Sequence, residues 1–184
     1  MRIVFLAAAS AIAVAALPLA PIAAQGSDSQ KAEATDIARL NAVLADPRRD
    51  GDRARDQHRH PAETLAFFQV EPGMTVVDYV PAEGWYARII APYLGPNGRY
   101  IAMGPNVIGA AERQQQYWGG QAEKLRAAAA GWNLGEAAIL GGFNTDAVPD
   151  DLAGQVDRVL IFRELHNMVR GGWLHHDLLA ILAA

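Results

Sequence analysis

The chain has 184 residues, with 16 Lys and Arg against 20 Asp and Glu, so its net charge of −4 gives no electrostatic case for binding nucleic acid. It contains no cysteine, which excludes disulfide scaffolds, thiolate metal sites and cysteine nucleophiles. Its only serines are Ser10, Ser27 and Ser29, near the amino terminus, so a Ser-His-Asp hydrolase is excluded as well.

Residues 1–26 join a basic start, an apolar stretch and a small-residue exit. That is the pattern of a secretory signal peptide, with cleavage expected after Ala24 or Gly26. Pro18 and Pro21 interrupt a run already short for a span, so no stable membrane span is expected after cleavage. The expected location is exported, in the periplasm. Residues 27–60 read as a helix followed by a charged loop, and residues 61–184 as the main domain.

In chain order, Lys31 to Leu44 predicts a helix with Ile37, Leu40 and Leu44 on one stripe. Asp46 to Pro61 alternates arginine and aspartate and reads as a solvated, self-neutralising loop. Pro61 suits the first turn of a helix that carries Leu65, Phe67 and Phe68 toward a core. Met74 to Val80 is a β-branched apolar run broken by Asp78, the pattern of a strand covered on both faces. A tight turn follows, and Tyr86, Ile89, Ile90 and Tyr93 then recur at helical spacing.

Gly95-Pro96-Asn97-Gly98 turns the chain into a second strand, Arg99 to Met103. Ile108 to Ala130 reads as a helix divided at Gly119-Gly120, Glu136 to Leu140 as a third strand, and Val156 to Phe162 as a fourth. Gly171 to Leu182 reads as a helix with Leu174, Leu178, Leu179 and Leu182 on its apolar face. Strands alternating with helices argue for βαβ units and a doubly wound, mostly parallel α/β sheet. In such folds an acid near a strand end, a glycine at the start of the next helix and free helix N–H groups form a nucleotide-handling corner. None of the five histidines falls in the i, i+4 spacing of a zinc pair, and no metal site is expected.

The string Val76-Val77-Asp78-Tyr79-Val80-Pro81-Ala82-Glu83-Gly84, with the order of elements around it, resembles the first motif of class I S-adenosylmethionine-dependent methyltransferases. HPAETLAFFQVEPGMTVVDYVPAEGWYARIIAPYLGPNGRYIA and VDRVLIFRELHNMV extend the resemblance, most closely to a group of exported predicted methyltransferases of proteobacteria. It implies a Rossmann-like fold, S-adenosyl-L-methionine as cofactor and a small-molecule methyl acceptor. Asp78 matches the acid that contacts the methionine end of the cofactor. Val80, Ala82 and Gly84 stand at the three glycine positions of the motif, with Pro81 between the first two, so only the third glycine is kept.

At the end of the second strand, where the family has an acid for the ribose hydroxyls, this chain has Asn106. Asp146 stands where an acid after the third strand would meet the adenine amine. Beyond the fourth strand, Glu164, His166 and Asn167 are the candidates for holding the acceptor or removing its proton, with His166 as base. The family's sheet has seven strands in the order 3-2-1-4-5-7-6, whereas this sequence shows about four. That reads as a truncated domain, a fragment of a longer product, or a half that pairs with a second copy across the open sheet edge. The rival to enzymatic function is a non-catalytic envelope protein that keeps the fold as a ligand- or protein-binding module.

Overall fold

The computed structural model describes residues 22–183 except residue 136. Most of the expected signal segment therefore lies outside the described residues; its last five begin helix α1, Ile22–Ala45. Two compact units are distinguished, one ending at Ala34 and one from Thr35 onward; the described part of the first is the leading half of α1. No helix among the described residues is long and apolar enough to cross a membrane.

In the second unit, the end of α1 leads into two 3-10 turns and the short helix α2, Asp56–Arg59. His60, at φ 42°, reverses the chain into α3, Pro61–Phe67, with Pro61 in its first turn as expected. The remaining elements are β1 (Thr75–Tyr79), α4 (Ala87–Leu94), β2 (Arg99–Gly104), α5 (Glu112–Trp118) and α6 (Gln121–Ala129). β3 (Ile139–Asn144), β4 (Arg158–Leu160), α7 (Leu165–Gly171) and α8 (Leu174–Ala183) complete the chain. The expected break at Gly119-Gly120 separates α5 from α6.

The four strands form one sheet in the order β3-β2-β1-β4, and every pairing is parallel. The fold is thus α/β, doubly wound and Rossmann-like. β1 is central, pairing Val77 with Ile101 of β2 and with Val159 of β4. Alternate residues of the strands feed two cores. Val76, Tyr100, Ala102 and Leu160 pack with Leu40, Leu65, Ile89, Ile90 and Leu125 from the helices. Val77, Tyr79, Ile101 and Met103 pack on the opposite face with Leu152, Met168 of α7 and Ile181 of α8.

Several expectations change. Phe67 is 80% exposed and Phe68 39%, so of the three expected core residues only Leu65 is buried, with Pro61 beside it in α3. Ile37 is also exposed, leaving Leu40 as the buried residue of its stripe. β3 begins three residues later than expected and runs through Gly141-Gly142, which reads as loop from sequence. A Cβ on Gly142 would lie 2.8 Å from the Ala122 carbonyl of α6, so the pair admits a closely packed helix rather than a turn. β4 is only three residues long, so Val156, Asp157, Ile161 and Phe162, expected within the strand, lie outside it. The charged loop is not fully solvated: Arg49 is 1% exposed and paired with Asp56 at 2.7 Å.

Candidate functional site

A parallel sheet in this order has its topological switch point between β1 and β4. The chain winds outward from β1 to β3 and then returns to the other side of β1 for β4. In such folds the loops leaving the carboxyl ends of the two strands at the switch point diverge and form the crevice in which ligands are taken.

The loop after β1 is built around backbone conformations that L-residues resist. Val80 N–H donates to the Met103 carbonyl at 2.8 Å, carrying the ladder one step past β1. Val80 then has φ 53°, Ala82 φ 51° and Gly84 φ 76°, all left-handed. These are the three positions at which the motif has glycine. A left-handed φ is uncommon for any residue with a Cβ and is an outlier for a β-branched one. Val80 packs its side chain against the Tyr79–Met168 core, while Ala82 and Glu83 are exposed.

Gly84 is held by sterics as well as by φ. A Cβ there would stand 2.6 Å from the Trp132 ring and 2.7 Å from Leu125. Strain of this kind persists where surrounding packing over-determines the backbone, and it concentrates at functional sites. At the far side of the crevice, Arg163, just past β4, is also left-handed at φ 61°.

Aromatic rings close the switch point. Tyr86, following the β1 loop, stacks on Phe162, following β4, with centroids 3.8 Å apart and planes 12° off parallel. Trp85 meets Tyr86 edge-on at 4.6 Å, and the Arg59 guanidinium lies 4.6 Å from the Trp85 ring. Trp85 Nε1 donates to the Asp52 carbonyl at 3.1 Å, and Arg88 pairs with the Asp52 carboxylate at 2.6 Å. Arg88 also donates to the Glu83 carbonyl at 2.8 Å, which fixes the loop from behind.

Asp78 lies beneath this loop rather than in it. Its side chain is 1% exposed and accepts a 2.8 Å hydrogen bond from the Tyr100 hydroxyl on the neighbouring strand. Burial raises its pKa to about 7, and the Tyr100 hydrogen bond only partly offsets this.

Asn106 accepts from Ile108 N–H through its side-chain oxygen at 2.7 Å, the arrangement of an Asx turn. Its backbone N–H donates to Asp177 at 3.1 Å. Asp146 is exposed on the 3-10 turn directly after β3. Glu164 accepts from Asn167 Nδ2 at 2.8 Å, and His166 is exposed in the first turn of α7. Val80, Pro81, Ala82 and Gly84 thus share one turn, and Glu164, His166 and Asn167 another; Asn106 and Asp146 follow β2 and β3 separately.

Asp177 of α8 was absent from the sequence-derived candidates. It is fully buried and accepts from Thr145 Oγ1 at 2.7 Å, from Asn106 N–H and from the Tyr79 hydroxyl. It therefore ties the carboxyl ends of all three strands β1, β2 and β3 to one helix. The readable signal was a lone acid on the stripe Leu174, Asp177, Leu178 and Ile181, where the other three are apolar. That stripe, and not Leu179 and Leu182, faces the protein: Leu179 and Leu182 are exposed.

No protein-family model matches the chain, and no curated protein does. Among solved structures it is similar to a SAM-dependent methyltransferase from Aquifex aeolicus, at 19% identity and a TM-score of 0.47 over 78% of this chain and 65% of that one. It is also similar to a cyclopropane-fatty-acyl-phospholipid synthase-like protein from Lactobacillus casei ATCC 334, at 20% identity and a TM-score of 0.36. The second likeness covers 67% of this chain and 46% of that one. The chain thus spans less than two thirds of the length of either. Scores under one half carry no weight beside the strand order and register, on which the fold rests.

Proposed function

We propose that this chain is a class I S-adenosyl-L-methionine-dependent methyltransferase domain that transfers a methyl group to a small acceptor. The observation that carries the proposal is the left-handed backbone at Val80, Ala82 and Gly84, kept at the motif's three glycine positions although two of the glycines are gone. A backbone that keeps this shape against the preference of Val and Ala keeps the close approach that a ligand at the crevice needs. Val80 turns its side chain into the core, so the residues present fit the cofactor at this corner.

The cofactor supplies an electrophilic methyl group on a sulfonium. In this reading the Val80–Gly84 turn presents main chain to the methionine end, with Asp78 supporting it from below. The Asn106 amide stands at the ribose and Asp146 at the adenine amine. Glu164 and Asn167, already joined to each other, orient the acceptor, and an imidazole nitrogen of His166 takes its proton. Rate enhancement comes chiefly from positioning. The apolar amino-terminal stretch supports export of the domain to the periplasm as part of the same reading.

Calorimetric titration of the full chain with S-adenosylhomocysteine tests the cofactor assignment. Binding at about micromolar Kd is expected, and no binding by a chain shown to be folded would overturn it. Once an acceptor is in hand, His166→Ala should lower turnover while leaving cofactor affinity unchanged. Unaltered turnover would remove His166 from the mechanism.

A further inference from the structure

A second region, apart from the crevice, is built as a binding site. A cavity of about 270 Å³ opens among the end of α1, the turns after it, α4 and the segment between α6 and β3. Arg48, Arg49 and Arg88 line it, as do Trp132, over whose ring the Arg88 guanidinium lies at 5.1 Å, and the apolar Val43, Pro92 and Leu134. Its volume is at the small end for ligand pockets, which start at roughly 300 Å³.

The chemistry of the cavity is one-sided. A guanidinium carries about five N–H donors. Arg48 uses three, on Asp46 and the Asn133 carbonyl. Arg49 uses three, on Asp56 and the Leu44 carbonyl. Arg88 uses three, on Asp52 and the Glu83 carbonyl. Each keeps spare donors, and Arg49 Nε is buried with no hydrogen-bond partner among the described residues. A buried donor left so costs about 1–3 kcal/mol. Asp46 is the only carboxylate on the wall among the described residues, and Arg48 already holds it in a double hydrogen bond.

We propose that this cavity binds a small monocarboxylate with an apolar body of about one ring. Its oxygens meet the spare N–H groups of Arg48 and Arg88, and its body lies against Trp132, Pro92 and Leu134. Three arginines are matched by Asp46, Asp52 and Asp56, so the site is close to neutral. One added negative charge is tolerated there, whereas a dianion facing Asp46 is not. The walls are mainly apolar, so a bare acetate would forgo most of the contact. The cavity includes none of the residues assigned to the cofactor or acceptor, although Arg88 and Trp132 on its wall also support the Val80–Gly84 turn from behind.

Phenylacetate is the direct probe, titrated into the full chain and followed by calorimetry and tryptophan fluorescence, with acetate and inorganic phosphate as comparators. Saturable phenylacetate binding at submillimolar Kd is expected, with acetate and phosphate at least about tenfold weaker. Arg48→Gln, at an exposed residue, should weaken phenylacetate at least about tenfold without altering the circular dichroism. Asp46→Asn should tighten it several-fold by removing the one carboxylate on the wall and releasing Arg48. No saturation up to about 10 mM would overturn the proposal. So would phosphate as the tighter ligand, or unchanged affinity in both variants.

Discussion

Two buried aspartates, one on each face of the sheet, each accept from a tyrosine hydroxyl, and they differ in how many other donors reach them. Asp78, on β1, has Tyr100 as its one hydrogen-bond donor among the described residues and lies in the core beneath α4. Asp177, reaching in from α8, has Tyr79, Thr145 and the Asn106 backbone. One donor does not replace the water that burial removes, so Asp78 titrates at about 7. The contrast separates two duties at the carboxyl end of the sheet. Asp177 fastens the strand ends together, and Asp78 is a buried carboxyl held by Tyr100 beneath the β1 loop.

The largest effect should come from breaking the better-connected side. Asp177→Ala strands two hydroxyls and one backbone N–H, and at about 1–3 kcal/mol each the loss is about 5 kcal/mol in denaturant unfolding. A loss under about 1 kcal/mol would show that the three contacts do not act together. Next in size is the pH dependence set by Asp78. Its folded value of about 7 lies above the ordinary carboxyl value of 3.8, so between them the folded chain holds the extra proton. The Asp78 contribution to stability should therefore be fully present below pH 4, fall by as much as about 4 kcal/mol as pH rises to 7, and level off above. Asp78→Asn should remove that slope, measured as unfolding midpoints across the same range.

Tyr100→Phe sharpens the point with a smaller effect. It should cost about 2 kcal/mol at pH 8, where Asp78 is charged, and roughly half that at pH 5. An equal cost at both would mean that Tyr100 does not bear on the titration. The smallest effect is at the strained loop itself. Ala82→Gly relieves a left-handed φ at an exposed position and should stabilise by about 0.5 kcal/mol, read as a rise in unfolding midpoint.

Much of the scaffold was legible because it rests on local patterns. A β-branched run marked β1, the Gly95-Pro96-Asn97-Gly98 turn marked the start of β2, Pro61 marked a helix start, and the break between α5 and α6 fell at the glycines where it was expected. What escaped depends on contacts distant in sequence. Gly141-Gly142 reads as loop until α6 is placed against it, and Arg49 reads as a solvated charge until Asp56 and Trp85 enclose it. Asp177 was hidden for the same reason, since its partners lie on β1 and in the segments after β2 and β3.

The candidate site was legible as composition but not as conformation. The loss of two motif glycines suggests a collapsed corner, yet Val80 and Ala82 keep the dihedral angles that glycine would have taken. Packing of Val80 below and of Gly84 against Trp132 holds that shape, and neither contact is visible in the string itself.

The central claim is that this strained turn still presents its backbone to S-adenosyl-L-methionine. Amide chemical shifts of the labelled chain, followed by NMR during titration with S-adenosylhomocysteine, test it at the residues concerned. The account predicts saturable shifts concentrated on Val80, Ala82, Glu83, Gly84 and Asn106. Shifts confined to other surfaces, or none at all from a folded chain, would contradict it.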